Sequence, residues 1–457
     1  MNSHPKSKHP PAKNSFARRK DIYKKSKYYQ EKRQKLLIAA GIGGFILVFV
    51  LILAGIRGCS NYMQAKQTTA QNAVSMNASG DSNQTAATDS QETDSSDTAI
   101  SVSAPVSLTL SVVGDCTLGT DETFDYDTSL NAYYENYGAD YFLQNVRSIF
   151  SADDLTIANF EGTLTDSDER EDKTFAFKAP ASYASILSGS SVEAVNTANN
   201  HSHDYGDQGF DDTLAALDDA GIVHFGYDET AVMDIKGIKV GMVGIYELYD
   251  HLDREQQLKD NIAKVQADGA QLIVVIFHWG NETETVPDSN QTTLGRMAID
   301  LGADLVCGHH PHVLQGIETY KGKNIVYSLG NFCFGGNSSP SDMDTMIYQQ
   351  TFTIDADGVK NDNVTNIIPC SISSAAYDGY NNYQPTPAEG DEATRILEKI
   401  NERSSWISTA EGTTFTAEYN NRNTSTSSSE SDISSENSSD TDSSEDDISD
   451  NNLIDMN

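Results

Sequence analysis

The chain has 457 residues and a formal net charge of −36, from 67 acidic side chains against 31 Lys and Arg. Such an excess of negative charge repels phosphate backbones and argues against a nucleic-acid partner. The five cysteines stand at wide, irregular spacings, which excludes a CxxC zinc site and a disulfide framework.

A basic segment and an uncharged apolar run open the chain. The first 35 residues hold twelve Lys or Arg, and residues 36–55, LLIAAGIGGFILVFVLILAG, carry no charge. A helix of that length rises about 30 Å, which matches the hydrocarbon core of a bilayer. Because basic flanks stay on the cytoplasmic side, we predict a cytoplasmic segment over 1–35 and a transmembrane helix over 36–56.

This topology predicts a single-pass protein of the cell membrane, with lipid as one partner and with every later residue outside the cell. A cleaved signal peptide fits less well, because the basic segment is very long and no clean small-x-small site follows the apolar run. A lipoprotein is also disfavoured, since Arg57 stands where a small residue should precede a lipidated Cys59.

Two polar stretches flank a central region that can fold. Residues 57–104 are dominated by small and polar types and predict a disordered stalk. After Arg422 the chain has ten acidic residues and no Lys or Arg, so we predict a disordered acidic tail over 421–457. The remaining residues, 105–420, suffice for one large domain with its own core.

Strand-like and helix-like patterns alternate through 105–420, as is typical of an α/β domain. Apolar runs such as VSLTLSVV and LIVVIF predict strands that are buried on both faces. Phe210, Leu214 and Leu217 recur at helical spacing. Later runs such as YQQTFTID predict antiparallel strands beside a largely parallel core.

Polar side chains follow five of the predicted strands at their carboxyl ends, the edge where open α/β sheets bind ligands. Alone, each of them could be a turn cap or a core residue, but three histidines around Pro311 are hard to explain in that way. Histidine, carboxylate and amide oxygens together suit Zn²⁺, Mn²⁺ or Fe²⁺, which activate water for hydrolysis. The residues are Asp115, Glu161, Asn200, His201, His278, His309, His310 and His312.

Seven motifs within residues 108–335 resemble the CapA family of capsule synthesis proteins, which is tied to poly-γ-glutamate. That family is in turn similar to calcineurin-like metallophosphoesterases. The resemblance therefore implies a four-layered α/β/β/α sandwich with a centre for one or two metal ions, Mn, Zn or Fe. The motifs are VVGDCTLG, NFEGTL, FAFKAP, NTANNHSHDYGDQGFDDTLAAL, HWGNE, GADLVCGHHPHVLQGIE and YSLGNFCF.

The resemblance also implies a role for individual side chains. The NNH sequence is similar to the GNH motif of phosphoesterases, which makes His201 the catalytic histidine. Lys178 and His309 are candidate substrate-binding residues. Thr117 departs from the phosphoesterase pattern, which has histidine at this position, so one metal ion would have one ligand fewer. The implied metal ligands are Asp115, Glu161, Asn200, His278, His310 and His312.

These features lead us to expect a membrane-anchored extracellular protein that acts in the synthesis, export or anchoring of poly-γ-glutamate or a related capsule polymer. A metal-dependent hydrolase would act on an anionic envelope polymer or a phosphoester, and polymer synthase subunits are further candidate partners. Two alternatives stay open. The chain could be a non-catalytic subunit that binds the polymer or assembles the synthase, or a metallophosphoesterase unrelated to capsule.

Overall fold

The computed structural model describes residues 104–360, 362, 364–407 and 413–419. The predicted segments 1–35, 36–56 and 421–457 lie outside the described residues, as does the predicted stalk up to residue 103. Within the described part of the chain, no helix has both the length and the apolar character needed to cross a bilayer.

The described residues form short and medium-length elements in a mixed order. The strands are β1 (Val106–Thr117), β2 (Leu155–Glu161), β3 (Thr163–Leu164), β4 (Lys178–Ala179), β5 (Ala194–Asn196), β6 (Val223–Phe225), β7 (Thr230–Ile235), β8 (Ile238–Tyr246), β9 (Leu272–His278), β10 (Leu305–His309), β11 (Ile317–Tyr320), β12 (Lys323–Val326), β13 (Asn331–Phe334), β14 (Asp344–Asp355), β15 (Gly358–Val359), β16 (Val364–Ser371), β17 (Thr386–Pro387) and β18 (Thr413–Thr414). The α-helices are α1 (Leu130–Tyr137), α2 (Arg147–Phe150), α3 (Ala184–Ser188), α4 (Gly206–Asp219), α5 (Glu255–Ala267), α6 (Ser289–Asp300) and α7 (Gly390–Ser405). Single-turn 3-10 helices lie at Tyr126–Thr128, Ala139–Tyr141, Ala181–Tyr183, His251–Arg254 and Ala376–Asp378.

Two large sheets contain most of these strands. The first has the order β17-β16-β14-β1-β2-β5-β6, with β13 paired to β1 and β15 paired to β14. Its strands β1, β2, β5 and β6 are parallel, while β14 runs antiparallel to β1. The second has the order β18-β11-β12-β10-β9-β8-β7, and β8, β9, β10 and β12 are parallel. The parallel core and the antiparallel strands confirm the predicted α/β class.

Alternate residues along the central strands enter different apolar clusters, because successive side chains of a strand point to opposite faces. Ile157 of β2 and Val274 of β9 belong to the cluster that lies between the two sheets. Their neighbours face outwards, where Ala158 packs in a cluster with Leu217 of α4. On the other sheet, Val275 packs in a cluster with Leu294 of α6 and with side chains of α5. Helices therefore cover the outer face of each sheet.

The carboxyl end of β1 has an unusually close neighbour. The backbone N–H of Asp115 donates to the carbonyl oxygen of Gly330 at 3.0 Å. A Cβ atom on Gly114 would lie 2.1 Å from that same oxygen, so only glycine permits this approach. As a result, β13 pairs with the end of β1 and Asn331 lies directly beside Asp115.

Candidate metal centre

Two fully buried carboxylates lie at the ends of neighbouring strands. Oδ1 of Asp115 accepts a hydrogen bond from Nδ2 of Asn159 at 2.8 Å, and Oε2 of Glu161 accepts one from the Thr117 hydroxyl at 2.7 Å. The second Glu161 oxygen, Oε1, is buried and has no hydrogen-bond partner among the described residues. Because a buried, unpaired carboxylate oxygen is costly, this atom is well suited to bind a cation.

His278 places a fully buried imidazole next to these carboxylates. Its Nε2 atom lies 2.7 Å from Oδ1 of Asn200 and 3.5 Å from Oε1 of Glu161. Burial and the neighbouring histidines hold the pKa of His278 well below its ordinary value, which leaves the ring neutral and able to bind a metal. Asp115, Glu161 and His278 form a first ligand set, whose ligand atoms all lie within 4.8 Å of one another.

The turn that follows β10 brings two further imidazoles to the same place. His310 and His312 have φ angles of +94° and +56°, in a region that non-glycine residues rarely adopt. Strained backbone of this kind is typical of functional sites. Nδ1 of His310 is buried without a hydrogen-bond partner among the described residues. Glu282, His310 and His312 form a second ligand set, again with ligand atoms within 4.8 Å of one another.

The protonation of this cluster follows from burial and pairing. Burial and the charge of Asp115 raise the pKa of Glu161 to about 8. Burial and the charge of His312 lower the pKa of His310 to about 3. For His312 burial opposes the charge, but the hydrogen bond to Asp115 and the charge of Glu161 outweigh it and raise the pKa to about 9. In the absence of metal the cluster therefore holds protons to a higher pH than an ordinary carboxylate and imidazole would.

His201 is held in a hydrogen-bonded chain of its own. Its Nδ1 atom lies 2.8 Å from Oδ2 of the fully buried Asp204, and the other Asp204 oxygen pairs with Lys173 Nζ at 2.5 Å. Lys173 also donates to the carbonyl oxygen of Asn200 at 2.7 Å. Asp204 therefore fixes the ring of His201 and, with Nδ1 as the donor, leaves Nε2 as the proton acceptor.

A cavity of about 420 Å³ joins these groups. Its lining includes Glu161 and His312 from the two ligand sets, together with His201, Glu282 and Asn331. Asn331 belongs to the cluster because its Oδ1 atom lies 2.8 Å from Nδ1 of His312. The cavity therefore borders Glu161 of the first ligand set, Glu282 and His312 of the second, and His201, which Asp204 orients.

Seven of the nine residues singled out from the sequence converge on this centre: Asp115, Glu161, Asn200, His201, His278, His310 and His312. The other two do not line the cavity. Lys178 Nζ donates to the carbonyl oxygen of Ser167 at 2.7 Å and lies over the ring of Tyr205. His309 is fully buried, with Nε2 2.9 Å from the Val113 carbonyl oxygen. These contacts are the partners that the two side chains have in the structure, and their substrate-binding role stays a prediction.

Several residues of the centre were not anticipated from the sequence, although each lies near a motif that was noticed. Glu282 follows His278 in the HWGNE motif, Asp204 follows the NNH sequence, and Asn331 lies within YSLGNF. All five lie in loops or near strand ends, and tertiary packing decides which groups their side chains contact. The residues are Asn159, Lys173, Asp204, Glu282 and Asn331.

The profile of the family described as "Bacterial capsule synthesis protein PGA_cap" matches residues 109–336. The PGA biosynthesis protein CapA of Bacillus subtilis (strain 168) is 32% identical over 248 residues, which cover 50% of this chain and 63% of that protein. The capsule biosynthesis protein CapA of Bacillus anthracis is 30% identical over 253 residues, which cover 50% of this chain and 60% of that protein. The chain thus spans about three fifths of the length of these two relatives.

More distant proteins also match. A probable polyglutamine synthesis accessory protein of Mycobacterium tuberculosis (strain CDC 1551 / Oshkosh) is 29% identical over 212 residues, which cover 40% of this chain and 56% of that protein. A hypothetical protein from Thermus thermophilus, known from its crystal structure, aligns over 57% of this chain and 98% of its own at 14% identity. The TM-score of this alignment is 0.36. The match at 109–336 and the two Bacillus relatives place this chain in the CapA family of bacterial capsule synthesis proteins.

Proposed function

We propose that this chain acts in the synthesis, export or anchoring of a poly-γ-glutamate capsule or a related envelope polymer, and that its carboxylate–histidine cluster is a divalent-metal centre for hydrolysis. Membership of the CapA family and the names of the Bacillus relatives support the capsule role. The observation that carries the metal centre is a pair of buried ligand atoms, Glu161 Oε1 and His310 Nδ1, one in each ligand set, that have no hydrogen-bond partner among the described residues.

The side chains present fit a divalent metal of the Mn, Zn or Fe class. Each ligand set combines imidazole and carboxylate, the donors that these ions share. Thr117 does not supply the imidazole that phosphoesterases have at its position, but its hydroxyl orients Glu161. Glu282 adds a carboxylate to the second set, so that set has three candidate ligands without Thr117.

The metal, when bound, supplies a Lewis acid and an acidified water. The chain's own contribution centres on His201, whose Nδ1 proton is held by Asp204. Burial lowers the pKa of His201, although Asp204 opposes that effect, so the ring is neutral near pH 7. In that form Nε2 can accept a proton from the attacking water and donate it to the oxygen of the leaving group. The ring of Phe177, 4.6 Å away, packs on the imidazole and limits its movement.

The second candidate is a non-catalytic subunit that binds the polymer or its synthase. Thr117 favours it, because the loss of an imidazole at that position weakens one ion's ligand set. We favour the hydrolase, because a protein that only binds the polymer or its synthase would not need a histidine, oriented by Asp204, in the cavity lining. The two candidates differ in whether polymer formation depends on the ligands.

Deletion of the gene in its own host should lower the amount of γ-linked glutamate polymer at the cell surface, and the wild-type gene should restore it. An Asp115→Ala, Glu161→Gln variant, made to comparable levels, should fail to restore the polymer if the metal centre is needed. Full restoration by that variant would support the assembly subunit instead. Unchanged polymer after deletion would contradict the capsule role itself.

The location of the domain is part of this proposal. We expect a protease added to wall-stripped protoplasts to release a fragment containing residues 105–420 and to leave the basic N-terminal segment protected. The reason is the positive charge of residues 1–35 before the apolar run. Immunoblots with tags at each end would follow the two parts. A domain that resists protease until the membrane is permeabilised would place it in the cytoplasm, away from a capsule.

Metal uptake should become tighter as pH rises from about 6 to about 9. The pKa values of Glu161 and His312 are raised to about 8 and about 9, so at pH 7 a metal must displace protons from these two ligands. Affinity should therefore increase by up to about tenfold per pH unit for each proton released, and level off above pH 9. Calorimetry with Mn²⁺ in buffers of different ionisation enthalpy measures the proton count. A flat affinity over this range would contradict the assignment of both ligands.

A further inference from the structure

The cavity wall beside the metal centre is aromatic. The ring of Phe177 lies 4.6 Å from that of His201, and the ring of Phe334 lies 5.5 Å from that of His312. Both phenylalanines line the cavity. Any group that enters far enough to meet His201 and His312 therefore also meets two phenyl rings.

The aromatic wall continues towards the mouth of the cavity. Phe124 lies 5.6 Å from Phe175 and 6.3 Å from Phe177, measured between ring centroids. Phe175 is 47% exposed, although a large apolar side chain at the rim of a polar site gains little by facing water. A Cβ atom on Gly336 would lie 2.6 Å from Cζ of Phe334 and 3.2 Å from Cζ of Phe177, so glycine lets the turn after β13 fold back against both rings.

The charged side chains of the cavity lining also restrict the kind of substrate. None of the described residues that line the cavity is Lys or Arg. Apart from Glu161 and Glu282 of the ligand sets, the lining carboxylates are Asp125 and Asp342, and Asp342 pairs with Lys399 at 3.2 Å. On the metal-loaded protein, a chain with a negative charge on every residue would therefore meet no Lys or Arg among the described residues of the lining, and its main attraction would be the metal itself.

We propose that the substrate group beside the metal centre is uncharged and apolar, of about the size of a phenyl ring. This inference rests on the proposed metal centre and narrows its substrate class. The substrate would be a phosphoester with one anionic group at the metal and an aromatic or other apolar substituent against Phe175 and Phe177. An internal stretch of a polyanionic chain would not fit, so the capsule polymer itself would not occupy the cavity.

The test compares three probes by calorimetry on the full-length chain loaded with Mn²⁺: phenylphosphonate, methylphosphonate and γ-linked triglutamate. Phenylphosphonate should bind at least about tenfold more tightly than methylphosphonate, because its ring is buried on binding. Phe175→Ala should remove most of this difference by weakening the binding of phenylphosphonate. Trp406→Ala is the matched control, since Trp406 is 46% exposed and lies outside the cavity lining. That variant should keep the difference.

Two results would overturn the inference while leaving the metal centre intact. One is equal affinity for the two phosphonates on metal-loaded protein. The other is triglutamate binding as tight as that of phenylphosphonate, with the steep salt dependence of a polyanion. Failure of the proposed function looks different, because the protein would then take up no Mn²⁺ in the first step and would bind neither phosphonate. That outcome would overturn both proposals.

Discussion

Replacing His278 and His312 together with alanine is expected to remove nearly all bound divalent metal from the chain. The two residues belong to separate ligand sets, so the double variant loses an imidazole from each. Disturbing even the groups that support metal ligands typically costs about 10–100-fold in affinity, and loss of a ligand from both sets should cost at least about a thousandfold. Metal content after equilibrium dialysis against Mn²⁺ or Zn²⁺, measured by mass spectrometry, gives the result directly.

The chain offers a matched control for this experiment. His203 and His251 lie outside both ligand sets, with side chains that are 44% and 57% exposed. The variant His203→Ala, His251→Ala removes the same number of imidazoles and should keep the metal content of the wild type. Full metal content in the His278→Ala, His312→Ala variant, with an unchanged circular dichroism spectrum, would eliminate the proposed centre.

The sequence is informative about this site because parallel strands share an edge. Asp115, Glu161 and His278 directly end or follow buried apolar runs, and parallel pairing brings the ends of such runs together. The α/β class follows from the same alternation of apolar runs and helical patterns. What could not be predicted is the way one sheet lies against the other, which has no local signature in the chain.

His309 illustrates how the packing of the two sheets determines the contacts of a side chain. It is in register with His278 on the neighbouring strand, but of these two residues His278 alone belongs to a ligand set. The difference comes from the opposite sheet, where the Val113 carbonyl oxygen lies 2.9 Å from His309 Nε2. Lys178 is similar, because its contacts with the Ser167 carbonyl oxygen and the Tyr205 ring depend on how the neighbouring loops fold and not on a local sequence pattern.

Asp204 is an example of a residue of the centre that the sequence pattern did not indicate. Asp204 lies three positions after His201 in a polar turn, where many residues would be solvated. It becomes fully buried because the N–H of Phe177 and the ammonium of Lys173 both reach its carboxylate. Such a polar network depends on loops folding back over the sheet edge. For this reason the catalytic candidate could be named from its motif, while the group that orients it could not.

Replacing His201 with alanine is expected to lower hydrolytic turnover of a phosphodiester by about 10²–10⁴-fold, the usual loss when a general acid–base group is removed. Metal content and thermal stability should stay near those of the wild type, because His201 belongs to neither ligand set and Asp204 keeps its pair with Lys173. Asp204→Asn should lower turnover less and should shift its pH profile, since it leaves the imidazole present but no longer fixes the Nδ1 proton. Turnover, metal content and melting temperature are measured on the same preparations, with His203→Ala as the control. A His201→Ala protein that is unstable and free of metal would show that His201 is a ligand or a packing residue, and undiminished turnover would remove it from the reaction altogether.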